Sequence, residues 1–228
     1  MLDTLDASRP LSSTARAWSD ALTDRRFRRE VPLTLAAFVA ALAVLARFLT
    51  WVEQRPGVVL PDPVLAVIPP RDVTWITFAL VYAGILTAVA VLLPHPRRLM
   101  LGFQAYVVMV LLRMAAMSVT PLEAPPGMLG LQDPLVQLLG TGGQLLTKDL
   151  FFSGHTSTAF LLVLLAPGRA TRAFFLACTA AVAGCVLWQH VHYTVDVLVA
   201  PLFAFASYVL ASRLHSGARG AEFRSPGS

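Results

Sequence analysis

The chain has 228 residues, 56% of them hydrophobic and only 14% charged, with a mean hydropathy of +0.66 and a net charge of +5. A soluble domain carries roughly a quarter charged residues, so this composition excludes an ordinary soluble enzyme and predicts a polytopic membrane protein. The basic residues form no patch interleaved with aromatics, which excludes nucleic acid as a partner.

Residues 1–30 are polar and rich in Arg, without the apolar core and small-residue cleavage site of a signal peptide. They are expected to form a mobile cytoplasmic arm whose Arg25–Arg29 cluster touches anionic lipid. Six apolar segments follow, at about 31–52, 73–93, 99–117, 150–166, 173–189 and 194–212. Each approaches the ~20 residues a helix needs to cross the hydrocarbon. The sequence therefore predicts an all-α fold: a six-helix transmembrane domain over 31–213 and a disordered cytoplasmic tail over 214–228. The stretch 118–149 is the longest between spans, and its Met128–Leu146 portion is apolar enough to lie in the interface or over a site. Cys178 and Cys185 are seven apart in one predicted helix, on the order of 10 Å along its axis, too far for a disulfide.

Basic residues partition sharply between the two ends of such a bundle. Thirteen Arg fall in the N-terminal arm, the 97–98 and 169–172 loops and the tail, against Arg55, Arg71 and Lys148 at the other end. By the positive-inside rule both termini are cytoplasmic. Phe152-Ser153-Gly154-His155-Thr156 and His190-Val191-His192-Tyr193-Thr194-Val195-Asp196 are separated by one apolar segment, a basic loop and a second apolar segment. That spacing returns the chain to the face it left, so His155, His192 and Asp196 meet at the exoplasmic surface. Asp196 is the one acidic residue within a predicted span, and ionisable groups are costly there unless they serve a function.

Ser153-Gly154-His155-Thr156 is expected to form a helix start, whose free N–H groups and dipole favour bound phosphate. Gly154 lets backbone approach the anion, and Ser153 or Thr156 supplies a hydroxyl. His192 and Asp196 are i and i+4, so the carboxylate can orient one imidazole nitrogen and leave the other to attack. Arg113, near the exoplasmic end of the third span, is the candidate phosphoryl clamp. Lys148, Asp149 and His190 are close enough in sequence to support the same site. A zinc site built from His155, His190, His192 and Asp196 is the alternative, but Ser-Gly-His at a helix start suits an anion better, so no metal or other cofactor is expected.

These motifs resemble the sphingomyelin synthase family, a branch of the type 2 phosphatidic acid phosphatase superfamily, in the manner of a bacterial member. Leu60-Pro61-Asp62, Arg97-Arg98 and the Arg113-to-Thr120-Leu122 spacing match further family motifs, which adds Asp62 to the supporting candidates, and Asp149 stands where that family has an Asp. Two departures stand out: Thr147-Lys148 replaces a Cys-Gly, and Glu123 replaces a Pro. The resemblance implies that His192 is the nucleophile on phosphorus, Asp196 its activating partner and His155 the proton donor and acceptor. It also implies membrane-lipid partners, a glycerophospholipid donor and a ceramide or diacylglycerol-type acceptor, in an inner membrane with the site facing outward. The superfamily's phosphatases add a Lys…Arg-Pro motif that this chain lacks, so headgroup transfer is expected over phosphatase or phospholipase C-like hydrolysis. A non-enzymatic lipid transporter would spread polar groups through several spans, whereas here they cluster at one surface.

Overall fold

The computed structural model describes residues 13–132 and 146–222, with side chains described as far as Leu214. Its elements are α1 (Ser13–Thr23), α2 (Arg25–Glu53), α3 (Thr74–Leu92), α4 (Pro96–Val119), α5 (Gly154–Leu165), α6 (Arg169–Trp188) and α7 (Thr194–Glu222). Among the described residues there is no strand, only one parallel bridge between Val58 and Leu122. The fold is all-α. Five helices, α2, α3, α4, α6 and the 194–214 part of α7, are long and apolar enough to cross a membrane. The exposed surface carries large apolar side chains such as Leu33, Val44, Leu86, Leu111, Leu198 and Phe205, the outer face of an integral membrane protein.

The fourth expected span differs from the sequence reading. Its helix, α5, has only 12 residues, about 18 Å against a hydrocarbon core of roughly 30 Å. Both ends have local causes. Phe151 adopts φ 83° and Ser153 caps the helix from an extended conformation, accepting a hydrogen bond from Thr156 N. At the other end Ala166 is extended (ψ 129°) because Pro167 follows it. α5 is thus a short inner helix, packed against α6, α7 and α4.

The expected mobile arm also differs. Residues 13–30 contain α1 and the first turns of α2, while 1–12 lie outside the described residues. The turn between them is set by Asp24, which caps α2 at Arg26 N and binds Arg97 Nη2 at 2.8 Å. Trp18 Nε1 donates to Leu93 O at 2.8 Å, and Phe27, fully buried, packs with Ala21 and Met100. The tail is helical in its backbone to Glu222, and 223–228 lie outside the described residues.

The core follows small residues. Ala105, Met109 and Ala116 of α4, and Ala200, Ala204 and Ala211 of α7, recur at spacings of four and seven and are buried in one cluster. Small side chains at that spacing let two helices approach closely without a hydrophobic driving force between them. α2 packs on α4 as well, α6 on α5, and α3 mainly on α6. The chain therefore reverses at every loop, and two ends can be defined. One gathers the α2 and α4 C-termini with the starts of α3, α5 and α7. The other gathers α1, the starts of α2, α4 and α6 and the end of α7.

Replacing Phe27 by Ala empties this buried ring position and should cost about 3 to 5 kcal/mol. The expected outcome is a lower unfolding temperature in detergent, measured by intrinsic fluorescence. An unchanged midpoint would show that α1 and the α2 start are not docked as described.

Candidate functional site

Most of the chemistry-bearing residues lie on or beside the starts of α5 and α7. One main-chain hydrogen bond joins those helix starts, Ser153 N to Asp196 O at 3.1 Å. In the turn just before α7, His192 Nδ1 lies 3.3 Å from Oδ2 of Asp196 in the first turn of that helix, and Tyr193 N donates to the same oxygen at 3.1 Å. Asp196 is fully buried and its Oδ1 has no hydrogen-bond partner among the described residues. The His192 bond is long, as such bonds often are before substrate tightens them. Its geometry leaves Nε2 as the imidazole nitrogen that Asp196 does not engage.

On the α5 side, Ser153 Oγ accepts from Thr156 N at 3.3 Å and from Thr156 Oγ1 at 3.1 Å. Thr156 is therefore turned inward on its own cap, and Ser153 keeps the hydroxyl hydrogen free to donate. Arg113 lies directly over Gly154: a Cβ built on that glycine would run into Arg113 Nη1. Only glycine admits the guanidinium there. Arg113 Nη2 is salt-bridged to Asp149, and its Nε is buried without a partner among the described residues. His155, two residues into the chain from Ser153, lines a crevice between α3, α5 and α6 with Leu80, Gly84, Ala159, Cys178 and Val182. The crevice volume of about 20 Å³ corresponds to roughly one water and is too small for a headgroup.

Three of the expected supporting residues are occupied elsewhere. Asp62 accepts from Thr194 N (2.6 Å), Thr194 Oγ1 (3.0 Å), Val64 N (3.0 Å) and Leu65 N (3.1 Å), so it caps α7 from the distant α2–α3 loop. Burial pushes its carboxyl up, but these hydrogen bonds, led by Thr194 N, outweigh burial and hold it below the ordinary aspartate value. His190 has both ring nitrogens against carbonyls, Nδ1 at 3.0 Å from Pro126 O and Nε2 at 2.9 Å from Ile68 O, which leaves neither for a substrate. Its backbone explains the position: His190 has φ 57°, His190 N bonds Leu187 O and Val191 N bonds Val186 O, a Schellman end to α6. Lys148 Nζ bonds Glu123 Oε1 at 2.9 Å and Arg55 O at 2.6 Å rather than turning to the triad. The two departures from the family pattern, Lys148 and Glu123, are thus partners in one ion pair.

Sequence reasoning missed the frame around this site. Glu53, at the end of α2, accepts from Thr147 N and Lys148 N at 2.9 and 3.1 Å and from the Thr147 hydroxyl. Tyr193, 1% exposed, links Leu60 N (3.1 Å) and Glu123 O (2.9 Å) through its hydroxyl. A carboxylate closing a span and a tyrosine beside the motif were visible, but nothing in their spacing marks their partners. Met128 and Leu131 pack against Val182, Val186, Val191 and Val197, so the described start of the apolar 128–146 portion does cover this end. Residues 133–145 lie outside the described residues. Among the described residues no three His, Cys, Asp or Glu side chains converge on a metal-sized point.

Residues 148–213 match the family described as PAP2 superfamily C-terminal. The matched span runs from Lys148 to Arg213 and contains both histidine motifs, which supports the type 2 phosphatidic acid phosphatase superfamily. No curated protein matches the sequence.

Gly154→Ala should displace the Arg113 guanidinium and break its pairing with Asp149, lowering any phospholipid turnover by two orders of magnitude or more. Turnover equal to that of the unchanged protein would contradict the close approach. Asp62 gives a pH signature. Its folded-state carboxyl is depressed, so the stability it contributes is complete above the ordinary 3.8 and is lost as pH falls through the lower folded value. Comparing melting curves of the unchanged protein and Asp62→Asn from pH 7 to 3 should show a gap that narrows only below about pH 4. A gap constant with pH would remove Asp62 from the α7 cap.

Proposed function

We propose that the protein is a lipid phosphotransferase that moves a phospho-headgroup from a glycerophospholipid to ceramide or a related lipid alcohol. The bundle would sit with both termini in the cytoplasm and the α5–α7 helix starts at the exoplasmic leaflet. Its charge distribution supports that orientation: Arg25, Arg26, Arg28, Arg29, Arg97, Arg98, Arg169, Arg172 and Arg213 all lie at or beside the end away from Asp196. Exposed Trp51, Trp75 and Trp188 ring the site end, as interfacial aromatics do.

In the first half-reaction His192 Nε2 attacks phosphorus, forming a P–N bond while the P–O bond to glycerol breaks. The proton needed by the departing diacylglycerol oxygen comes from His155. In the second, the acceptor hydroxyl gives its proton to His155 and its oxygen attacks phosphorus. The P–N bond then breaks and its electron pair returns to His192. Asp196 Oδ2 holds Nδ1–H toward itself and balances the charge that develops on the ring as the P–N bond forms. Arg113 and the α5 start, brought together over Gly154, would hold the non-bridging oxygens.

The observation that carries the diester reading is the state of the cations at this end. Arg113 is paired with Asp149, Lys148 with Glu123, Arg55 is spread over the Met117 and Ser118 carbonyls, and Arg71 lies over the Trp188 ring. A phosphate monoester dianion needs several cationic donors, whereas a phosphodiester carries one charge. A nearly neutral pocket suits the diester. Superfamily members act on lipids as phosphatases or phosphotransferases, and this local neutrality favours the second.

The test uses purified protein in mixed micelles containing headgroup-labelled phospholipid and ceramide, with phosphatidic acid in a parallel assay. The expected result is labelled phosphosphingolipid plus diacylglycerol, little phosphate release from phosphatidic acid, and at least a thousandfold loss in His155→Ala, His192→Ala and Asp196→Ala. Full activity in His192→Ala would remove the nucleophile. Phosphatidic acid turning over faster than the diester would make the protein a phosphatase.

A further inference from the structure

A second cavity lies away from the triad. It is an open groove of about 900 Å³ at the opposite end of the bundle, lined by α2, α4 and α7. α2 and α7 both pack on α4, and the groove runs between them with Gln104, Val107 and Val108 as its floor. Along α2 the lining residues form two stripes at four-residue spacing. One reads Arg25, Arg29, Leu33, Ala37 and the other Arg26, Glu30, Thr34. The first stripe changes from cationic to apolar within about 18 Å of helix, in the direction that runs from the bundle end toward its middle. Ala211 and Leu214 of α7 line the remaining wall.

This gradient has the shape of a phospholipid, with an anionic head at the rim and a hydrocarbon chain below. Three guanidinium groups stand at the rim against one carboxylate, Glu30, and that carboxylate is held by Gln104 Nε2 at 2.7 Å. Gln104 also reaches Thr34 Oγ1 at 3.1 Å, closing the polar layer before the apolar part begins. Two other occupants fit poorly by charge. The chain's own C-terminal segment carries Arg219 and Arg224 against Glu222, and a second copy would present another arginine-rich end. Both would meet the rim with like charge.

We propose that this groove is a binding site for an anionic glycerophospholipid of the leaflet opposite the triad, with its phosphate on Arg25, Arg26 and Arg29 and one acyl chain along Leu33, Ala37, Val107 and Val108. The site is separate from the headgroup chemistry and does not depend on it. Its role is to hold the α2–α4–α7 wedge, and with it the face of α4 that carries Arg113 at its far end.

The experiment is native mass spectrometry of the full-length protein in detergent, titrated with dioleoylphosphatidylglycerol, dioleoylphosphatidylcholine or soluble glycerol phosphate. One phosphatidylglycerol should be retained per chain and raise the unfolding temperature, while the other two probes should not. Arg25→Gln combined with Arg29→Gln should weaken that retention roughly 30-fold, about 2 kcal/mol, without changing the unfolding temperature in lipid-free detergent. Ala37→Trp, which keeps every arginine and fills the apolar part, should also abolish retention. Equal retention of phosphatidylcholine, or retention insensitive to the arginine pair, overturns the proposal. Saturable stabilisation by glycerol phosphate alone would overturn the lipid assignment, and so would retention surviving Ala37→Trp.

Discussion

Asp196 holds two helix starts together with different oxygens. Its main-chain carbonyl receives Ser153 N, and its carboxylate receives His192 Nδ1 and Tyr193 N. A carboxylate in the first turn of α7 is also placed where the helix dipole favours negative charge. A fully buried carboxyl group of this kind is costly unless its hydrogen bonds are in place, so the surrounding structure must be rigid enough to keep them. That requirement explains the work done by Asp62, which fixes Thr194 from the α2–α3 loop, and by Tyr193, whose hydroxyl joins Leu60 and Glu123. Asp196 Oδ1 is buried without a hydrogen-bond partner among the described residues. An orphaned acceptor beside an imidazole is an arrangement that gains most when the ring becomes positively charged.

The same economy governs the cations. Lys148, Arg55 and Arg71 at the site end are each balanced or spread by a neighbour, and Lys148 on Glu123 draws the segment before α5 to the strand-like pairing of Val58 with Leu122. Glu53 ties the same segment to the end of α2 through Thr147 and Lys148. Arg113 is the exception in placement, since its pairing with Asp149 leaves Nη1 lying over the α5 start. One guanidinium at a helix N-terminus, against an otherwise neutral surround, sets the charge that a bound phosphorus group can carry.

What was legible in the sequence was local. The approach of His192 to Asp196 four residues on, Ser153 as a cap before Gly154, and five of the long apolar runs follow from local spacing and capping, although His192 sits in the turn before the helix and not on it. Partners separated by many residues were not legible. Nothing in spacing predicts that Lys148 meets Glu123 rather than the triad, or that His190 staples Pro126 to Ile68. His190 was further disguised because a helix end of this type usually carries glycine, and here a histidine takes the left-handed position. The arginine-rich start was read as a mobile arm because its charge hides Trp18, Ala21 and Phe27, the apolar face that docks on Met100. The short α5 was masked by Leu150, Phe151 and Phe152, apolar residues that precede the cap and are not helical.

The two ends of the bundle are therefore built on opposite principles. At one, nearly every charge is neutralised by a neighbour, and polarity is concentrated in a buried imidazole–carboxylate pair. At the other, arginines line an open groove with little acidic counterweight. α4 joins them, with Gln104 in the floor of the groove and Arg113 nine residues further along, over Gly154. Small alanines pack this helix against α7, so neither helix can shift much without the other. Whatever fills the groove must then bear on the spacing of α4 and α7, the same spacing that sets how closely Arg113 approaches the helix start beside Asp196.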